Sequence, residues 1–218
     1  MDYEKNEGIY LNELLLFPDK MDGLHIWEAG IVLARYFYHS PEILQGKSVI
    51  DLGTGVGVLG ITAAKYSKCK SITFSDYKKE ILDNAISNVK KNKIYEDGTT
   101  IGMVFDWSDY AKLKQKYDVI IASDVIYAGT PFKDLALLMD KALNKGGEAY
   151  IMIPNERMYA PKFLEAVDEV GKFELTKIEL EDPKYLVSPL KNEKEGFQHF
   201  AGLKELKFIV HKFVKVKE

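Results

Sequence analysis

The segment Asp51–Gly57, which reads Asp-Leu-Gly-Thr-Gly-Val-Gly, constrains the fold of this chain more than any other part of the sequence. It follows the short apolar run Ser48–Leu52 and precedes a helical pattern at Ile61–Tyr66, so it predicts a strand, a tight turn and a helix. Because Gly53 and Gly55 have no Cβ, the chain can turn sharply there and a ligand can approach the backbone closely. The first N–H groups of the helix suit a polar or anionic group. A βα turn that binds no ligand is the alternative interpretation.

Apolar runs and helical patterns alternate along the rest of the chain, which is typical of βαβ units around a parallel sheet. We predict strands at 48–52, 71–75, 101–105, 117–122 and 148–153, and helices at 27–38, 61–66, 79–91, 132–143 and 162–170. The run 117–122 is apolar apart from Asp118, which indicates a central strand covered on both faces. The runs 173–180 and 208–216 predict an antiparallel hairpin at the sheet edge. We therefore expect an α/β fold with a Rossmann-like, doubly wound, seven-stranded sheet, mostly parallel and ending in a C-terminal antiparallel hairpin.

Length and composition narrow the class of protein. A chain of 218 residues suits one domain over 1–218, which we divide into an extension at 1–23, a core at 24–155 and a C-terminal helix with edge strands at 156–218. Its 30 Lys and Arg against 33 Asp and Glu argue against a dedicated nucleic-acid binder. One cysteine, Cys69, excludes an internal disulfide and favours a reducing compartment.

The same sequence lacks the signals of membrane attachment, export and metal binding. Its apolar runs fall far short of the roughly 20 residues that a membrane-spanning helix needs. The first residues do not show the basic segment followed by an apolar segment that is typical of a secretory signal. The four histidines are scattered, so no metal site is expected. We expect a monomer that does not bind membranes and lies in the cytoplasm, with the nucleus as the alternative.

Acidic residues stand at the ends of the first two predicted strands. Asp76 lies 23 residues after Gly53, where a carboxylate can accept two hydrogen bonds from the vicinal hydroxyls of a ribose. Asp51 can orient the glycine loop or reach an ammonium of the ligand through water. A strand-end acid or a turn cap is the alternative for both. The glycine spacing at 53, 55 and 57 departs from the G-x-G-x-x-G pattern of nicotinamide dinucleotide sites.

An acidic and aromatic pair, Asp106-Trp107, follows the third predicted strand and begins a predicted loop at 106–109. A flat adenine ring binds against an aromatic or apolar wall with a polar contact at its edge. Trp107 can stack on such a ring or offer its backbone N–H, and Asp106 can accept a hydrogen bond from the exocyclic amine. The alternative is that Trp107 only packs its loop against the core.

The segment Ser123–Tyr127 follows the central strand, where an open parallel sheet places its ligand crevice. Asp124 and Tyr127 are three residues apart, so in a turn both side chains can face one pocket. The carboxylate can hold a substrate ammonium and the phenol can line the channel that leads to it. The alternative is a loop-capping Asp beside a half-buried Tyr. Trp27, ahead of the first helix, is informative only beside these motifs and is otherwise a core anchor.

Together these motifs resemble family 16 of the protein lysine methyltransferases, a branch of the class I, seven-stranded S-adenosylmethionine-dependent methyltransferases. The matching segments are Trp27-Glu28 ahead of Ala29–Tyr36, Asp51–Gly57, Asp76, Asp106-Trp107 and the Ser123–Tyr127 segment with its D-x-x-Y motif. They span residues 24–155, roughly 60% of the chain. The chain departs from the family pattern in three places. Asp51 stands where Glu is frequent, Ser108 replaces the glycine of a D-W-G loop, and Ser123 occupies a position where Ala or Cys is also common.

The resemblance implies an N-methyltransferase that uses S-adenosylmethionine, releases S-adenosylhomocysteine, and modifies a lysine of a protein substrate. The residues implied to bind the donor are Trp27, Asp51, Gly53, Thr54, Gly55, Asp76, Asp106, Trp107 and Ser123. Asp124 and Tyr127 are implied to face the acceptor and to be the catalytic residues. In this role Asp124 binds and aligns the amine, whose proton goes to water.

Three other functions stay open at this point. A similar sheet occurs in NAD-dependent oxidoreductases, although the glycine spacing argues against one. A non-catalytic protein could keep the fold and bind a partner. Methylation of nucleic acid is disfavoured because the segment Asp124–Tyr127 lacks the two prolines of an N/D-P-P-Y motif. Histidine and lysine acceptors are not distinguished.

Overall fold

Strands and helices alternate along the part of the chain that this computed structural model describes, which is residues 9, 22–94, 99–155, 157–186, 203 and 206–218. The strands are β1 (Ser48–Leu52), β2 (Ser71–Asp76), β3 (Thr100–Val104), β4 (Tyr117–Ser123), β5 (Leu143–Pro154), β6 (Phe173–Glu179) and β7 (Phe208–Lys215). The α-helices are α1 (Glu28–His39), α2 (Val58–Tyr66), α3 (Lys79–Lys91), α4 (Phe132–Ala142), α5 (Ala160–Val170) and α6 (Pro183–Leu186). Short 3-10 helices cover Asp22–Leu24, Pro41–Ile43 and Trp107–Lys112.

The strands form one seven-stranded sheet in the order β3-β2-β1-β4-β5-β7-β6. Strands β1 to β5 run parallel to one another, whereas β7 is antiparallel to both of its neighbours. This arrangement confirms the predicted fold class. The predicted antiparallel hairpin at the sheet edge is confirmed as well, with β7 next to β5 and β6 as the outer strand of the hairpin. His211 of β7 lies opposite Ile151 on one side and Lys177 on the other.

Apolar side chains cover both faces of the sheet, as doubly wound packing requires. In β1, Val49 contacts the core under α1, α2 and α3, whereas Ile50 contacts the core under α4 and α5. In β4, Ile121 and Ile120 are divided between the same two cores. Neighbouring residues of a strand point to opposite faces, so both layers follow from the strand period. The prediction that β4 is central is confirmed, since it pairs with β1 and β5.

Two predicted elements differ from those observed. The chain after strand three, predicted as a loop at 106–109, forms a 3-10 helix at Trp107–Lys112. Strand β5 begins at Leu143, five residues before the predicted start, and its pairing with β4 shifts register between Tyr117 and Val119. The glycine pair Gly146-Gly147 lies within this strand.

Some predictions fall on residues outside the described part of the chain. They include residues 1–8 and 10–21 of the predicted extension and residues 187–202 between the two predicted edge strands. Within the described ranges, no helix combines the length and the apolar character needed to cross a bilayer.

Candidate active site

The glycine loop after β1 has a backbone conformation that favours glycine at three positions. Gly53, Gly55 and Gly57 have φ values of +67°, +54° and +89°. A Cβ on Gly55 would lie 3.2 Å from the carbonyl oxygen of Gly23, and one on Gly53 would lie 3.0 Å from a methyl group of Val125. The backbone conformation and the packing against Gly23 and Val125 therefore both require glycine in this loop, which makes the sharp turn that its sequence predicts.

Asp51 supports this loop from within the protein. Its carboxylate is 1% exposed, and one oxygen accepts hydrogen bonds from the Gly60 N–H at 3.0 Å and the Thr54 hydroxyl at 2.7 Å. Burial raises the pKa of Asp51 to about 7, against the lowering effect of these two hydrogen bonds. The contacts match the loop-orienting role of Asp51, and the Thr54 hydroxyl is directed into the protein. Donor contacts of these two residues stay a prediction.

Asp76 lies beside the same loop, because β2 pairs in register with β1 and ends next to it. Its two carboxylate oxygens accept hydrogen bonds from the backbone N–H groups of Gly55, at 3.4 Å, and Lys78, at 3.2 Å. The side chain is buried, and this burial raises the pKa of Asp76 above its usual value. The structure thus brings the strand-end acid and the glycine loop together, as the spacing of the sequence predicts.

Trp107 also reaches the glycine loop. A Cβ placed on Gly53 would lie 3.5 Å from the six-membered ring of the Trp107 indole. Asp106 caps the 3-10 helix, and one of its carboxylate oxygens accepts hydrogen bonds from both the hydroxyl and the N–H of Ser108, the latter at 2.9 Å. The Ser108 hydroxyl therefore stabilises the turn that presents Trp107 and holds the pKa of Asp106 below its usual value. Ser108 consequently has a local structural role at the position where the family often has glycine.

The loop after β4 begins with a left-handed residue. Asp124 has a φ of +54°, which is uncommon for a residue with a side chain. Its N–H donates to the carbonyl of Met152 at 3.2 Å, at the end of the neighbouring strand β5. The preceding residue, Ser123, points toward α1, since a Cβ on Gly30 would lie 3.3 Å from the Ser123 hydroxyl. The left-handed turn after β4 is thus bound to β5 and lies beside α1.

Thr130 closes this loop behind Asp124. Its hydroxyl donates to the Val125 carbonyl at 2.8 Å and accepts from the Tyr127 N–H at 3.2 Å. The Tyr127 side chain is about half exposed, as is Trp27 at the start of α1. Trp27 contacts His25 edge to face, with ring centroids 5.1 Å apart. Both aromatic residues are therefore available to a ligand at this end of the sheet.

Arg157 is a residue of this site that the motifs do not indicate. Its Nη2 donates to both oxygens of Asp124, at 2.6 and 2.7 Å. The Asp124 side chain is 7% exposed and that of Arg157 is 41% exposed. One signal in the sequence was available, since the chain has two arginines, Arg35 and Arg157, among 30 basic residues. Arg157 also follows the strand next to the one that carries Asp124.

Known proteins resemble this chain in sequence. A family model described as lysine methyltransferase matches residues 14–170. The chain is 28% identical over 150 residues to a calmodulin-lysine N-methyltransferase of Arabidopsis thaliana. This alignment covers 66% of this chain and 49% of that protein. It is 29% identical over 156 residues to a histidine protein methyltransferase 1 homolog of Dictyostelium discoideum, with coverages of 69% and 48%. The chain spans about half the length of these curated relatives.

A solved structure shows the same fold at low sequence identity. The magnesium protoporphyrin IX methyltransferase of Synechocystis PCC 6803, solved with bound S-adenosylmethionine, superposes with a TM-score of 0.57. The alignment covers 86% of this chain and 79% of that chain at 14% identity. At this identity the likeness shows the architecture of the sheet and helices.

Proposed function

The chain belongs to the lysine methyltransferase family, and on that premise we propose that it transfers a methyl group from S-adenosylmethionine to a lysine of a protein. The single observation that carries the proposal is the convergence of four groups at one edge of the sheet. These are the bare glycine loop, Asp76, the Trp107 indole and the Asp124 carboxylate. Each comes from a different βα connection, so the fold itself assembles them.

The donor half of the site fits an adenosyl group. The glycine loop carries no side chain at Gly53 and Gly55, and a buried carboxylate and an indole lie beside it. Asp76 would hold the ribose hydroxyls, since a carboxylate accepts two such hydrogen bonds. Trp107 would pack against the adenine, and Asp106 would meet its amino group. Trp27 and Ser123 would complete the site from the side of α1.

The acceptor half depends on Asp124 and Tyr127. When bound, S-adenosylmethionine supplies a sulfonium methyl group that a neutral amine attacks in line, so that an N–C bond forms as the S–C bond breaks and its electron pair stays on sulfur. The chain contributes chiefly position and orientation. Asp124 would align the acceptor nitrogen, whose proton passes to water, and the Tyr127 phenol would border the entrance. A free lysine amine has a pKa near ~10.4, so it must lose a proton before it attacks the methyl group.

Lysine is the acceptor we propose, and the family model and the Arabidopsis relative support it. The Dictyostelium relative is named for histidine instead, so the residue modified is an outcome of the experiment below. The partner we propose is a protein that presents this residue to a monomeric enzyme in the cytoplasm. A single domain with a core at 24–155 remains part of the same proposal.

Two measurements test the proposed function. Isothermal titration should show binding of S-adenosylhomocysteine and none of NADH, and the reverse result would indicate an oxidoreductase. A cell lysate incubated with labelled S-adenosylmethionine should give a labelled band with the wild-type protein. The variant Asp124→Ala should lose the band and keep its affinity for S-adenosylhomocysteine, and mass spectrometry of the band then identifies the modified residue. Donor binding without any methylated product would indicate a non-catalytic protein.

A further inference from the structure

One nitrogen of Arg157 lies between the two carboxylate oxygens of Asp124. Both contacts run to Nη2, at 2.6 and 2.7 Å, so the guanidinium approaches the carboxylate end-on with a single nitrogen. Each carboxylate oxygen has two lone pairs, and this contact uses one on each. The remaining lone pairs are left for an acceptor N–H.

Asp124 needs a counter-ion where it lies. Its carboxylate is almost fully covered, and the Glu28 carboxylate at the start of α1 adds a second negative charge nearby. In the described part of the chain, the charged groups that act on Asp124 are Arg157 and Glu28. Burial raises the pKa of Asp124, and Arg157 opposes this rise through its charge and its hydrogen bonds. Without Arg157, a buried carboxylate would remain beside a like charge.

The fold brings Arg157 to this place by strand order. Ser123 at the end of β4 lies opposite Met152 of β5, so the chain segments that follow the two strands meet at the carboxyl edge. The left-handed backbone of Asp124 turns its side chain toward the segment that carries Arg157. The guanidinium remains partly exposed, so it reaches the carboxylate from the solvent side.

We propose that Arg157 is a positioning residue, which holds the Asp124 carboxylate ionised and in one orientation for the acceptor nitrogen. This inference rests on the proposed function, because it takes Asp124 to face the acceptor. The pair carries no net charge, so it orients the acceptor amine without the strong preference for the protonated ammonium that an unpaired carboxylate would create. Arg157 thereby contributes to methyl transfer without contact with the reacting atoms.

The test measures initial rates of label transfer to a cell lysate together with the affinity for S-adenosylhomocysteine. Arg157→Ala should slow transfer by on the order of 10- to 100-fold at pH 7, since a carboxylate out of place loses its orienting effect. The affinity for S-adenosylhomocysteine should stay within about twofold, which is below 0.5 kcal/mol. The rate of Arg157→Lys should lie between those of the wild type and Arg157→Ala, because a single lysine nitrogen can make the contact that Nη2 makes in the wild type.

Two readouts and a control variant separate positioning from a general structural role. Millimolar guanidinium chloride should restore part of the rate of Arg157→Ala, because the vacated place is open to solvent. The acid limb of the pH–rate profile should move to higher pH in this variant, since Asp124 would keep Glu28 nearby and lose its cation. Lys133→Ala removes one positive charge from an exposed ion pair with Glu169, and it should leave all these readouts unchanged.

The outcomes are distinct. The inference is overturned if Arg157→Ala transfers methyl groups as fast as the wild type, or if its rate and donor affinity fall in parallel without rescue by guanidinium. If the wild-type protein binds S-adenosylhomocysteine and labels no protein, the proposed function fails, and the role of Arg157 fails with it.

Discussion

The backbone N–H of Gly55 donates to the carboxylate of Asp76 across 3.4 Å, and this long hydrogen bond joins the turn after β1 to the end of β2. The carboxylate is thus held against the backbone of the glycine loop. The backbone N–H of Lys78 donates to the second carboxylate oxygen of Asp76 at 3.2 Å. These two hydrogen bonds fix the orientation of the Asp76 carboxylate without a ligand. We therefore expect substitutions of Asp76 to affect donor binding more than the overall stability of the protein.

Asp76→Ala should weaken binding of S-adenosylhomocysteine by about 10- to 100-fold, because it removes the proposed acceptor of the two ribose hydroxyl hydrogen bonds. Isothermal titration measures the affinity. Asp83→Ala removes an exposed acid from the helix that follows Asp76, and its affinity should match the wild type. Equal affinities in the Asp76 variant and the wild type would show that this acid does not bind the ribose.

Gly55→Ala should lose donor binding and destabilise the fold by about 1–2 kcal/mol, the usual cost of a left-handed backbone for a residue with Cβ. The added methyl group would also lie 3.2 Å from the Gly23 oxygen. Gly146→Ala is the matched control, because its φ is +79° and no atom lies within 4 Å of the new Cβ. Gly55→Ala should lose at least as much stability as the control in urea unfolding, because only its methyl group meets the Gly23 oxygen, and the control should keep its affinity for S-adenosylhomocysteine.

Asp51 makes the stability depend on pH. Its pKa is about 7 in the folded protein and 3.8 when unperturbed, so the unfolded state releases its proton first as pH rises. The stabilising contribution is therefore complete below pH 3.8 and is lost as pH rises through about 7. Asp51→Asn keeps an oxygen that accepts hydrogen bonds but has no proton to lose. Its free energy of unfolding, measured by urea titration, should fall less from pH 5 to pH 8 than that of the wild type.

Asp51→Ala serves as the contrasting variant. It leaves the buried Gly60 N–H and Thr54 hydroxyl without their acceptor, which costs about 1–3 kcal/mol for each group. The loss should appear at every pH. A wild-type stability that changes between pH 5 and pH 8 no differently from that of Asp51→Asn would contradict the raised pKa.

His211 should produce the opposite trend. Burial, reinforced by Lys177 on the neighbouring strand, lowers the pKa of His211 to about 4, against 6.5 when unperturbed. Between these values the unfolded state binds a proton that the folded state does not, so this contribution to stability is lost as pH falls from 6.5 toward 4. In His211→Gln the fall in the free energy of unfolding from pH 7 to pH 5 should be smaller than in the wild type.

Local sequence predicts the elements of this fold better than their arrangement. Helix α3 spans Lys79–Lys91 as its apolar spacing indicates, and β1 spans Ser48–Leu52 as its short apolar run indicates. The insertion of β7 between β5 and β6 was not predictable in this way. Strand order at the antiparallel end depends on how buried faces fit together, and an apolar run carries little information about its neighbour.

In the site, likewise, the residues next to predicted strands could be placed from the sequence, whereas contacts that depend on three-dimensional packing could not. Asp76 and Trp107 follow predicted strands directly, so the parallel topology places them at the glycine loop. The partner of Asp124 is Arg157, which lies 33 residues further along the chain. The two residues meet because β4 and β5 are neighbours in the sheet and because the backbone of Asp124 is left-handed. The covered position of the Asp51 carboxylate likewise depends on the approach of Gly60 in three dimensions.

The inner position of β7 determines when this protein can complete its sheet during synthesis. Strand β6 lies at the end of the strand order with β7 as its neighbour, and β7 is translated about 30 residues later. Until β7 has been made, β6 lacks its native partner, because β6 pairs with β7 and not with β5. The parallel part, which holds the glycine loop and Asp124, can assemble on the emerging chain, whereas closure of the antiparallel side must wait for Phe208–Lys215.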